Sequence, residues 1–143
     1  MIVLTTIIIY PILYVRLKRD LSLLKKVIKI NDFENQIEKY TGFIIFTESD
    51  LLSDNPSFFG ICMNVLSKKQ TSNIVDISNG QGLKKIEYRW LKKYSINVLP
   101  TIVSLENGII KEKIISFNNN IISFPKKKLT TVLRSAVNSV GGE

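Results

Sequence analysis

The chain has no histidine and one cysteine, Cys62, and this shortage settles much of its chemistry before any fold is considered. Ser–His and Cys–His nucleophilic pairs are excluded, as is a His-ligated metal. One cysteine cannot form an intramolecular disulfide or a Cys-x-x-Cys centre. Cys62 lies within FFGICMNVL, where apolar neighbours would raise the thiol pKa and leave the side chain as core. A monothiol reaction through Cys62 is the competing expectation. Acids gather in TESDLLSDNP as Glu48, Asp50 and Asp54, with Ser53 among them. They could hold a cation, but exposed acids that begin a helix are the plainer reading. Gly80 and Gly82 form a loose GQG before a helical pattern. No phosphate-loop lysine or dinucleotide fingerprint surrounds it. No metal and no cofactor is expected.

The basic residues are more numerous. The 143-residue chain carries a formal net charge of +8, which favours anionic lipid, nucleic acid or an acidic protein face as partner. PKKKL at 125–129 could touch phosphates, and Tyr88, Arg89 and Trp90 place aromatic and basic groups together. No nucleic-acid module surrounds these residues, so a solvated face is expected and nucleic acid is not placed among the partners.

With 45% hydrophobic and 22% charged residues the composition is globular, yet the mean hydropathy of +0.13 is high for a soluble domain. The excess sits at the N-terminus. Ile2 to Val15 are uncharged, and Arg16, Lys18 and Arg19 follow. As a helix that run would be roughly 21 Å long, against about 30 Å of bilayer hydrocarbon. Leu17 extends it, Arg16 could snorkel, and Tyr10 and Tyr14 suit an interface. Residues 1–19 are therefore expected to be a membrane anchor, a buried apolar segment being the alternative, and residues 20–143 one domain. By the positive-inside rule the domain would be cytoplasmic. LKRDLSLLKKVIKI continues as a basic amphipathic stretch, its end VIKI readable as a first strand.

Beyond it, elements alternate. NDFENQIEKY reads as a helix capped by Asn31 or Asp32, and GFIIFTES as a buried strand. LLSDNPSFFG reads as a loop, SFFGICMNVLSKKQ as a helix after Pro56, and SNIVDIS as a second buried strand. NGQG is a turn. LKKIEYRWLKKY reads as one amphipathic helix with Leu83, Ile86, Trp90 and Leu91 on its apolar side. PTIVSL and IIKEKIISF flank ENG as a hairpin, NNNIISF is irregular, and PKKKLTTVLRSAVNSV is a closing helix. The class is α/β, with helices flanking a central mixed β-sheet.

This order, with NDFENQIEKYTGFIIF and YSINVLPTIVSLENG, resembles the thioredoxin-like superfamily over roughly residues 28–140. The resemblance implies a thioredoxin-like fold, here preceded by an N-terminal apolar helix. It also implies a cis Leu99–Pro100 bond that turns the Leu99 backbone outward to pair with an extended partner peptide. Where redox members of the family carry Cys-x-x-Cys, this chain has FTESDLLSDNPSFF, and the strand that often holds a buried acid is apolar. The expected protein is therefore a membrane-associated, redox-inactive binding or scaffold protein. By analogy it would be an accessory subunit of a bacterial export or conjugation assembly. Leu99, Pro100, Asp50, Ser53 and Asp54 would form its binding surface, with another protein as partner. A Cys62 oxidoreductase and a basic module binding lipid or nucleic acid are the alternatives.

Overall fold

The run GFIIFT is apolar on both faces because it forms the central strand, buried above and below. The computed structural model describes residues 23–68, 70–116 and 126–141; the expected anchor over residues 1–19 lies outside them. Five strands form one sheet in the order β1-β3-β2-β4-β5. They are β1 (Val27–Lys29), β2 (Gly42–Thr47), β3 (Ser72–Asp76), β4 (Thr101–Glu106) and β5 (Ile109–Ser116). β1, β3 and β2 run parallel, whereas β4 pairs antiparallel with both β2 and β5. The sheet is mixed, and helices flank it, as the alternation of elements implies.

Strand alternation sorts the core into two layers. Phe43 and Ile45 of β2 join Phe58, Phe59, Cys62 and Leu66 on one face. Ile44 and Phe46 join Ile30, Phe33, Trp90 and Tyr94 on the other. The first layer is covered by α3 (Pro56–Leu66) and α5 (Lys126–Gly141). Leu129, Leu133 and Val137 recur every fourth residue along α5, so one stripe of that helix is buried. The second layer is covered by α1 (Ile30–Glu34) and α4 (Tyr88–Lys93). There the Phe46 and Tyr94 rings stack with centroids 4.9 Å apart.

Three local readings are corrected. The helix expected over NDFENQIEKY is a five-residue α1 followed by a 3-10 turn at Ile37–Lys39, and Lys29, not Asn31 or Asp32, occupies its N-cap. The stretch read as a loop before Pro56 contains a helix, α2 (Ser49–Asp54). It stops because Asn55 precedes a proline and is driven out of the helical region, to φ −132° and ψ 51°. Pro56 then serves as the first residue of α3, where its missing N–H is no loss. Third, LKKIEYRWLKKY is not one helix. A 3-10 turn at Leu83–Lys85 is separated from α4 by the extended Glu87. α4 ends with Ser95 at φ 53°, while the Ile96 N–H reaches back to Leu91 O at 2.8 Å.

The hairpin forms where Asn-Gly predicts it. Asn107 and Gly108 both have positive φ, 51° and 79°, and Glu106 pairs with Ile109.

Candidate functional site

The β2–β3 ladder ends with Thr47 beside Asp76, and the segments leaving these two residues build the most elaborate polar cluster described. The Glu48 carboxylate accepts the N–H groups of Asp50 at 2.7 Å and Leu51 at 2.6 Å, capping α2. Glu48 is 2% exposed, so the expectation of an exposed capping acid is right about the cap and wrong about the exposure. The Asp76 carboxylate accepts the Ser78 N–H at 2.9 Å, the Ser78 hydroxyl at 2.5 Å and the Gly80 N–H at 2.7 Å. Ser78 Oγ also accepts the Ser49 N–H at 3.3 Å, tying the two segments together. Gly82, at φ +85°, lies against Asp50, and a Cβ there would stand 2.6 Å from Oδ2.

β4 brings the proline to this end of the sheet. Thr101 pairs with Phe46, so one step further along the ladder Pro100 would face Thr47. The Leu99–Pro100 bond is cis, as expected. Pro100 is buried and Leu99 half-buried, and Thr101 Oγ1 donates to Val98 O at 2.6 Å across the bend. Thr47 is fully buried, and its hydroxyl has no hydrogen-bond partner among the described residues.

Asp50 in the first turn of α2 is exposed and belongs to this end of the sheet through Gly82. Ser53 and Asp54, also exposed, lie one turn further along the helix. Cys62 is apart from all of them. It is the seventh residue of α3, has no exposure, and lies in the first core layer. Burial pushes its thiol up from 9.0 to about 12, which outweighs a lowering backbone hydrogen bond. Sequence reasoning named neither Thr47, Asp76 nor Ser78, although DISNG, an acid followed by Ser, Asn and Gly, does signal a side-chain-stapled turn.

What the cluster can do follows from its donors and acceptors. Its buried carboxylates already accept hydrogen bonds, Glu48 from two backbone N–H groups and Asp76 from two backbone N–H groups and the Ser78 hydroxyl. No group of three or more metal-ligating side chains occurs among the described residues. Of the positions expected to bind, Leu99, Asp50, Ser53 and Asp54 lie at the cis bend and on α2, Leu99 half-buried and the other three exposed.

A second feature lies on the other sheet face. Lys84, Lys85, Tyr88, Arg89, Lys92 and Lys93 are all exposed around α4. The Arg89 guanidinium is 4.4 Å from the centroid of the Trp90 ring and pairs with Glu87. Lys93 pairs with Glu34 at 2.6 Å. Burial, followed by the hydrogen bond to Glu34 and its charge, raises the Tyr94 phenol above its ordinary range.

No protein-family model matches the chain, and no curated protein matches it.

Proposed function

We propose that the chain is a membrane-associated, redox-inactive member of the thioredoxin-like superfamily whose work is to bind another protein, as an accessory or scaffold subunit of a membrane assembly. The observation that carries this reading is the strand order. With β4 antiparallel to β2, Pro100 comes alongside the β2–α2 junction, where a redox member would keep its dithiol and this chain has Glu48, Ser49 and Asp50. That arrangement supports a retained docking surface without its nucleophile. The tether rests on the apolar and basic composition of residues 1–19. Among the described residues no helix is long and apolar enough to cross a membrane. The rival reading, a monothiol enzyme, has only Cys62 to offer, and that thiol is buried and held neutral.

Photo-crosslinking residues placed singly at Leu99, Ser53 and Thr131 of the full chain test the proposal in native membranes. The same protein adduct is expected from Leu99 and Ser53 and not from Thr131, which lies exposed on α5 on the far side of the first core layer. Equal adducts from all three positions, or none, would overturn it. Rapid alkylation of Cys62 in the folded protein would favour the enzyme instead.

A further inference from the structure

We propose that the face built by residues 84–93 docks on an anionic lipid surface. Five cations and one acid fall within ten residues, KKIEYRWLKK. The acid, Glu87, is taken by Arg89, and Lys93 is taken by Glu34. Lys84, Lys85 and Lys92 have no ion-pair partner among the described residues, so their charge is left to face an outside anion. Tyr88 projects among them at 76% exposure. Trp90, two residues on and so about 200° around the helix, is 8% exposed and anchored in the second core layer. The short helix is thus fixed by one aromatic residue and presents another to solvent, with exposed Lys84, Lys85 and Lys92 within four residues of it in the chain.

A lipid surface fits this arrangement better than nucleic acid does. The one arginine, whose planar fork suits bidentate recognition, is already engaged by a carboxylate and an indole ring. What remains is lysine, a hydrated point charge suited to a diffuse anionic layer, with an amphipathic phenol of the kind enriched at headgroup depth. The choice of occupant also rests on the membrane-associated reading given above, since residues 1–19 would hold the domain near such a surface.

The test uses the full chain with vesicles of phosphatidylcholine alone and of phosphatidylcholine with phosphatidylserine. Hydrogen exchange over residues 84–93 is expected to slow on the phosphatidylserine vesicles only, and to recover at raised salt. The variant Lys84→Gln/Lys85→Gln/Lys92→Gln should lose roughly a hundredfold of the phosphatidylserine-dependent gain in affinity, each lysine near an anionic leaflet contributing about fivefold. Identical exchange on both vesicles would overturn the proposal, as would slowing by a single-stranded oligonucleotide but not by phosphatidylserine. Flotation with phosphatidylcholine alone reads the tether separately, so loss of that signal strikes the tether and leaves the basic face to be judged on phosphatidylserine.

Discussion

Gly82 is packed against the carboxylate of Asp50, and a Cβ at position 82 would stand 2.6 Å from Oδ2, so a side chain fits there only if that carboxylate swings aside. The contact joins two positions 32 residues apart in the chain, near one end of the sheet. Gly82→Ala should cost about 1–3 kcal/mol, combining the left-handed backbone penalty with displacement of Asp50. Adding Asp50→Ala should recover the contact part but not the backbone part, a coupling that a double-mutant cycle in urea would measure. Strict additivity of the two substitutions in that cycle would mean that the two residues are not in contact.

Glu48 caps α2 from a buried position. Glu48→Ala should destabilise the protein by about 1 kcal/mol or more, since two helix N–H groups lose their acceptor. Glu48→Gln keeps an oxygen for one of them and should lose less. The ordering of the two variants by chemical denaturation is the decisive reading; equal losses would show that one amide oxygen cannot stand in for the carboxylate, and no loss in either would show that the cap contributes nothing.

Thr47 buries a hydroxyl that no described residue satisfies. Thr47→Val has nearly the same shape without the unpaired group and should raise stability by about 1 kcal/mol. A fall in the thermal midpoint instead would indicate that the hydroxyl does have a partner in solution.

Cys62 should behave as core. Its folded-state pKa is raised from 9.0 to about 12, so folding favours the protonated thiol. That contribution is complete below pH 9.0 and is lost as pH climbs toward 12. Thiol labelling near neutral pH should therefore track global unfolding, slow in buffer and fast in urea. Cys62→Ser should destabilise by about 1–3 kcal/mol by burying a hydroxyl among apolar side chains. Fast labelling without denaturant would contradict the burial.

Legibility in the sequence followed the range of the forces involved. The central strand was readable because GFIIF is apolar at consecutive positions, a pattern that suits a strand buried on both faces. The β4–β5 hairpin was readable because Asn-Gly tolerates two positive φ angles in succession. α2 was not, because SDLLSD is short and polar and its cap, Glu48, looks like one more loop acid until it is seen buried. The break at Glu87 was likewise hidden, since Leu83 and Ile86 continue the apolar spacing of α4 straight through it. The Asp50, Ser53 and Asp54 positions could be named from composition. The partnership of Ser49 with Ser78 could not, because it depends on strand register between residues 29 apart.

The tip of the β4–β5 hairpin is fastened from beneath. The Gly108 N–H donates to Tyr40 O at 2.9 Å and the Asn107 N–H to Thr41 Oγ1 at 3.0 Å, and a Cβ at position 108 would meet Ile37 O at 2.5 Å. A two-residue turn at the surface is ordinarily the first choice for grafting an epitope or splitting a chain into fragments. Here an insertion would unlatch β4 from the segment that leads into β2, so reporters belong elsewhere, for example at exposed Thr131 on α5.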